Sequence, residues 1–111
     1  MADGLQKIRG YRFAGWELNV RLRRLTSPAR KNVSLTNTEF NLLAAFLSAP
    51  LRVLSRDQLI GLSRLHNDEI YDRSIDTQIG RLRRRFGEKT TFIRTERGAG
   101  YVFTAEVEVV R

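Results

Sequence analysis

The 111-residue sequence predicts one α+β domain, with short strands first, then three helices and a C-terminal hairpin. Two capping boxes followed by apolar residues at helical spacing indicate the first two helices. A third amphipathic run ends at Gly87, and glycine-punctuated apolar segments flank the helical part. With 41% hydrophobic and 29% charged residues the composition is globular. We expect a single domain over 1–111, with its folded core at about 8–105.

The first 35 residues contain four candidate strands of an N-terminal sheet. They cover 11–13, 16–20, 23–26 and 32–35, and Gly10, Gly15 and the Ser27-Pro28 pair separate them. Trp16 is expected to be a core residue that packs the sheet against a helix.

The first helix is predicted from the segment LTNTEFNLLAAFLSAP. Thr36 and Glu39 have capping-box spacing, in which each side chain bonds the other residue's backbone amide. Pro50 ends the helix. The predicted inward-facing residues are Phe40, Leu43, Phe46 and Leu47.

The second helix is shorter and begins with the same pattern. Ser55 and Gln58 form the capping box in LSRDQLIGLSRL. Leu59, Ile60 and Leu62 are expected to face inward.

The third helix, about 72–86, begins at the N-cap residue Asp72 and ends before Gly87. On a helical wheel its apolar residues form one narrow stripe, expected to be buried: Ile75, Ile79, Leu82 and Phe86. The opposite face consists of Arg73, Asp76, Thr77, Gly80, Arg81 and Arg84, with Arg83 and Arg85 on its flanks.

This arginine-rich face favours duplex DNA contact. Solvated helices usually pair glutamate with lysine one turn apart, whereas here five arginines accompany one aspartate. Arginine can donate two hydrogen bonds to guanine, and small neighbours allow close approach to the major groove. The C-terminal segment, about 92–103, reads as a hairpin with Arg97 beside a glycine-containing turn, which suits a narrow minor groove.

The charge balance supports the same partner. Twenty Lys and Arg residues against 12 Asp and Glu give a net charge of +8, with nets of +6 over 1–36, −2 over 37–72 and +4 over 73–111. The N-terminal net charge of +6 has two possible functions, contact with DNA phosphates or contact with an acidic protein. The sequence contains no cysteine and no apolar run as long as a transmembrane helix, and its N-terminus lacks the apolar core typical of a signal peptide, so a cytoplasmic location is expected.

Enzymatic chemistry is not predicted. The single histidine, His66, has neither a nucleophile nor convergent metal ligands beside it in the sequence, so no metal or cofactor is expected. Two other functions stay open: an RNA-binding module, disfavoured because most aromatics fall on core faces, and a protein-interaction domain whose arginine face meets an acidic partner.

The segments LTNTEFNLLAAFLSAP, VLSRDQLI, YDRSIDTQIGRLRRRFG and FIRTERGAGYVF, in this order, resemble the winged-helix effector domain of OmpR/PhoB-type response regulators. The resemblance implies a winged helix-turn-helix with an N-terminal antiparallel four-stranded sheet, three helices and a C-terminal β-hairpin wing. It implies sequence-specific double-stranded DNA binding for transcription regulation in a bacterial two-component phosphorelay. The third helix would enter the major groove and the wing the adjacent minor groove.

The wheel and the resemblance together give ten candidate DNA-binding residues. These are Arg73, Ser74, Asp76, Thr77, Gln78, Arg81, Arg83, Arg84, Thr95 and Arg97. By resemblance, the loop between the second and third helices would contact RNA polymerase, with Arg64, His66, Asn67, Asp68 and Glu69 as candidates.

The resemblance also implies a head-to-tail homodimer on direct repeats and a sensor kinase that acts through a receiver domain. No receiver domain is present in the 111 residues, which implies the effector half of a longer regulator or a standalone domain. Two positions depart from the family pattern: Arg64 replaces a frequent tryptophan, and Gly80 replaces an often longer side chain, so base preference cannot be transferred.

Overall fold

A computed structural model of the chain describes residues 8–63, 72–87 and 91–111. In chain order the elements are β1 (Gly10–Phe13), β2 (Trp16–Asn19), β3 (Arg24–Thr26), β4 (Asn32–Val33), α1 (Asn37–Ser48), β5 (Val53–Leu54), α2 (Arg56–Leu62), α3 (Asp72–Phe86), β6 (Ile93–Glu96), β7 (Gly100–Phe103) and β8 (Glu108–Val110). The predicted order of strands, three helices and a hairpin is confirmed.

The N-terminal sheet is antiparallel and has the order β4-β3-β2-β1-β8. Its first four strands are those predicted, although β4 ends at Val33 rather than at residue 35. Ala14 and Gly15 connect β1 to β2, and both have positive φ, as a type I′ turn requires. The fifth strand, β8, pairs with β1, and the sequence did not predict it as a separate strand of this sheet.

A second sheet, with the order β5-β7-β6, contains the hairpin formed by β6 and β7, called the wing below. The prediction of two paired strands at 92–103 is confirmed. The short strand β5 adds to the outer side of β7 and places the N-cap of α2 directly against the wing.

Both predicted capping boxes are present. Thr36 accepts from the Glu39 amide at 3.1 Å, and the Glu39 carboxylate accepts from the Thr36 amide at 3.0 Å. Ser55 and Gln58 make the equivalent pair of bonds at 3.0 and 2.8 Å. These reciprocal bonds satisfy amides that have no partner within the helix, and they fix where α1 and α2 begin.

Helices α1 and α2 bury the residues that were predicted to face inward, with one exception. Phe40, Leu43, Phe46 and Leu47 are buried on α1, and Leu59 is fully buried on α2. Leu62 was predicted to face inward, but it is 49% exposed. The inward direction of α2 is set by Leu59, Ile60 and Ser63, and Leu62 lies roughly 110° away from its centre.

An aromatic cluster joins α3 to both sheets. The Phe86 ring lies 5.0 Å, between centroids, from both Trp16 and Phe92, in edge-to-face contacts. Phe13 makes a similar contact with Phe103 at 5.2 Å. Trp16 is therefore a core residue, as predicted, and the C-terminal end of α3 is anchored between the N-terminal sheet and the wing.

Candidate nucleic-acid interface

Helix α3 presents the two faces that its sequence predicts. Ile75, Ile79 and Leu82 have no exposed surface and Phe86 is 6% exposed, so the apolar stripe is the buried face. On the opposite side Asp76, Thr77, Arg81 and Arg84 are exposed, whereas Gln78, Gly80 and Arg83 are partly buried. The backbone of residues 73 and 74 is helical, but the side chains of Arg73 and Ser74 lie outside the described part of the structure.

The carboxylate of Asp76 connects three elements. Arg56, the first residue of α2, donates to both of its oxygens, from Nε at 3.0 Å and from Nη2 at 3.1 Å. The hydroxyl of Tyr101, on β7, also donates to Asp76. One acidic side chain on the arginine-rich face is thus neutralised by α2 and bonded to the wing.

These contacts shift the pKa values of the two donors. The hydrogen bond and charge of Asp76 raise the pKa of the Arg56 guanidinium above its ordinary value. Burial, followed by the bond to Asp76, raises the pKa of the Tyr101 hydroxyl. Both groups therefore keep their protons and their donor roles at neutral pH.

Arg83 fixes the wing against α3. Its Nε donates to the carbonyl oxygen of Ile93 at 3.0 Å, and its Nη2 donates to Thr95 Oγ1 at 2.8 Å. The guanidinium also lies 5.6 Å from the centre of the Tyr101 ring. Two of the predicted DNA-binding residues, Arg83 and Thr95, are therefore bonded to each other across the junction of helix and wing.

The wing tip carries an exposed arginine on a tight turn. The Ala99 amide donates to the Glu96 carbonyl oxygen at 2.9 Å, and Gly98 between them has a φ of 75°. Arg97 is exposed at this tip. The neighbouring cation Arg94 instead pairs with Glu96 at 2.8 Å, so the two wing arginines are in different electrostatic environments.

The charges on this surface are strongly unbalanced. Within the described ranges, no carboxylate lies within ion-pair distance of Arg81, Arg84 or Arg97. Unpaired guanidinium groups concentrated on one face produce a positive potential that attracts a polyanion. This arrangement suits a DNA duplex, whose phosphates attract the arginines and whose base edges are accessible in the grooves.

The last turn of α3 is held by a buried carboxylate. Arg85 Nε donates to Glu39 Oε1 at 3.0 Å and its Nη2 to Oε2 at 3.3 Å. Glu39 is fully buried, whereas the Arg85 side chain is 41% exposed. The capping box of α1 and the last turn of α3 therefore share one carboxylate, and Arg85 acts as its counter-ion.

Replacing Arg85 with methionine should lower the free energy of unfolding by about 3 kcal/mol, because it leaves a buried carboxylate without its cation. Chemical denaturation of the wild type and the variant measures this loss. The double variant Glu39→Gln/Arg85→Met should recover part of it, since no charge is then left unpaired. An additive double variant would contradict the proposed pairing.

The candidate partner loop lies outside the described residues. Arg64, His66, Asn67, Asp68 and Glu69 therefore remain predictions. Among the described residues, no group of three or more His, Cys, Asp or Glu side chains is placed to hold a metal ion. No helix in the described ranges is long and apolar enough to cross a membrane.

A family model described as the C-terminal domain of transcriptional regulatory proteins matches residues 30–103. The match runs from the end of the β3–β4 connection to the last residue of β7 and includes the whole candidate interface. The chain belongs to this family.

Relatives and structures of the family agree with this membership. The regulatory protein VirG of Agrobacterium fabrum is 55% identical over 104 residues, covering 91% of this chain and 41% of VirG. The chain thus spans less than half the length of this curated relative. The DNA-binding domain of Klebsiella pneumoniae RstA, solved in complex with the RstA box, superposes with a TM-score of 0.74 at 26% identity, covering 86% of this chain and 97% of that one.

The fold is also that of DrrB, a Thermotoga maritima OmpR/PhoB homolog. The TM-score is 0.77 at 24% identity, with 91% of this chain and 46% of DrrB covered. The predicted resemblance to the effector domain of OmpR/PhoB-type response regulators is confirmed by the family match and these structures.

Two residues of the candidate interface, Arg56 and Tyr101, were not predicted from the sequence. Both are defined by their bonds to Asp76, which is 20 and 25 residues away in the chain. A signal was present in the sequence: Asp76 is the only acidic residue between Arg73 and Phe86, and an acid on such a face needs a cation from elsewhere.

Proposed function

We propose that the domain binds double-stranded DNA sequence-specifically and regulates transcription. Helix α3 lies in the major groove and the wing in the adjacent minor groove. Two features of α3 together carry this proposal. One face of the helix is a buried apolar stripe, and the arginines of the opposite face lack acidic partners among the described residues. The transcription-regulator family and the DNA complex of RstA support it.

Each cation on the surface has a distinct role in this proposal. Arg81 and Arg84 on α3 meet bases and phosphates in the major groove, and Arg97 enters the minor groove. The remaining contacts come from candidates around them: Arg73, Ser74, Thr77, Gln78 and Thr95.

Asp76 and Arg83 have an ordering role in this account. Arg83 bonds the wing at Ile93 and Thr95, and Asp76 bonds the wing at Tyr101. The angle between α3 and the wing is therefore set before DNA arrives, which reduces the conformational entropy lost on binding. Arg56 neutralises Asp76, so the carboxylate does not repel the phosphates.

Membership of this family also suggests how the domain pairs on DNA and which proteins it works with. We propose a head-to-tail pair of domains on direct repeats whose half-sites are about one DNA turn, ~10 bp, apart. In this account a receiver domain links the effector domain to a sensor kinase of a bacterial two-component system in the cytoplasm. The loop at 64–71 contacts RNA polymerase.

Replacing Arg81 with alanine should weaken binding to the preferred duplex by about 1–3 kcal/mol and relax base preference at one position. Among the described residues, the exposed Arg81 side chain has no hydrogen bond or ion pair that the substitution would remove. Fluorescence anisotropy titrations with the preferred and a scrambled duplex, at matched salt, give both affinities.

The matched control is Arg12→Ala, which also removes one positive charge. Arg12 lies on the sheet surface that points away from the helices, where its Nε is 3.9 Å from Glu17. It should affect both duplexes only slightly. Equal losses for Arg81→Ala on the preferred and scrambled duplexes would show that Arg81 holds phosphate alone, and no binding by the wild type would contradict the proposed function.

A further inference from the structure

Gly80 is a glycine in the middle of α3, between Asp76 and Arg84 on the outer face. A methyl group placed on its α-carbon meets one described neighbour, Arg84 Nη2, at 4.0 Å, which is ordinary van der Waals distance. Its φ is not in the left-handed region. Alanine would therefore fit at this position without strain.

Among the described residues, no contact requires glycine at this position. Glycine is the poorest helix former after proline, so a glycine within a helix weakens that helix. Gly10 and Gly100 show the opposite situation, because a methyl on either would lie about 2 Å from a backbone oxygen of a neighbouring strand. A partner that approaches α3 closely would account for glycine at position 80.

The open space at Gly80 is called the recess below. It has no polar group that could form hydrogen bonds with the donors and acceptors of base edges. It has no side chain, and the backbone groups beneath it are engaged in the i→i−4 bonds of the helix. Arg84 borders it but does not fill it. Such a surface distinguishes base pairs by shape and apolar contact alone.

We propose that Gly80 is a specificity-determining residue whose recess receives the C5-methyl group of a thymine in the major groove. That methyl is the apolar group that a base pair presents in this groove. The inference rests on the proposed DNA binding and adds to it one residue and one base. Asp76 is already neutralised by Arg56, so the recess is not bordered by an uncompensated negative charge.

The test uses two glycine-to-alanine variants of the whole 111-residue chain. Gly80→Ala should raise the melting temperature by about 4 °C and weaken binding to the preferred duplex about tenfold. Gly61→Ala is the matched control: Gly61 is an exposed helical glycine on α2, and an added methyl there meets no described atom within 4 Å. It should raise the melting temperature similarly and leave DNA affinity unchanged.

Replacing each thymine of the preferred duplex in turn with uracil removes one methyl at a time. At one position, uracil should weaken wild-type binding about fourfold. At the same position, uracil should strengthen binding by Gly80→Ala, because the alanine methyl then occupies the vacated space. This reversal separates direct contact from a general change in helix stability.

The outcomes distinguish the two claims. A wild type without a preferred duplex would contradict the proposed function and, with it, the assignment of Gly80. A wild type with a preferred duplex that Gly80→Ala binds equally well would overturn the assignment of Gly80 alone. Weaker binding without any uracil reversal would overturn the thymine contact.

Discussion

Replacing Ile79 with aspartate is expected to unfold the domain. Ile79 has no exposed surface and lies in the centre of the buried stripe of α3. The substitution loses the burial of a large aliphatic side chain, about 2–5 kcal/mol, and places a carboxylate in the core at a further cost of several kcal/mol. The sum is comparable with the whole stability of a small domain, about 5–15 kcal/mol. Circular dichroism and thermal denaturation would measure the loss.

The control for Ile79→Asp is Arg81→Asp, which introduces an aspartate two residues later on the same helix. Arg81 is exposed on the opposite side of α3, so Arg81→Asp should remain folded while losing DNA binding. A cooperatively folded Ile79→Asp variant, or an unfolded Arg81→Asp variant, would show that the two faces of the helix are assigned the wrong way round.

Replacing Gly100 with alanine should be the most damaging glycine substitution in the wing. A methyl there would lie 2.0 Å from the Leu54 carbonyl oxygen and 2.9 Å from Ser55 Cα, and the φ of 141° is unfavourable for alanine. Because Ser55 caps α2, the displaced segment would carry Arg56 away from Asp76. We expect a loss of about 3 kcal/mol or more, measured by chemical denaturation.

Gly98→Ala separates backbone strain from collision. Gly98 also has a positive φ, of 75°, but a methyl there meets no described atom within 4 Å. It should cost only about 1–2 kcal/mol, the strain of the left-handed conformation. Equal losses at both glycines would contradict the close approach of β5 and β7 at Gly100.

The helices were predictable because their signals are local. Thr36 with Glu39, and Ser55 with Gln58, meet within one turn, so their spacing in the sequence specifies their contacts. The stripe of α3 follows from the period of the helix in the same way. Leu62 was assigned to the wrong side because a seven-residue helix contains too few apolar positions to define its inward direction.

The strands that escaped prediction depend on distant partners. β8 is three residues long and is defined by pairing with β1, about 100 residues earlier. β5 has only two residues, Val53 and Leu54, and exists through its pairing with β7. Two residues are too few to show the alternation that indicates a strand, and the alternating residues 105–109 do not reveal that their partner is β1. The contacts of Asp76 with Arg56 and Tyr101 also join residues that are far apart in the chain, so they could not be predicted from local spacing.

The basic N-terminal third has a partial structural explanation. Arg23 donates to Asn37 at 3.0 Å, and its guanidinium lies 3.9 Å from the centre of the Phe40 ring. This cation joins the turn before β3 to the start of α1. Arg12 faces Glu17 on the outer surface of the sheet. Composition alone could not separate such structural cations from those that bind a partner.

Selection of bound duplexes from a random pool tests sequence-specific DNA binding by this domain most directly. We expect enrichment of one motif, present as two copies in direct repeat about 10 bp apart. The enriched duplex should then bind more tightly than a scrambled one at the same salt concentration, with Arg81→Ala reducing the difference. A pool that remains random after repeated rounds would contradict the account and favour an acidic protein as the partner of the arginine face.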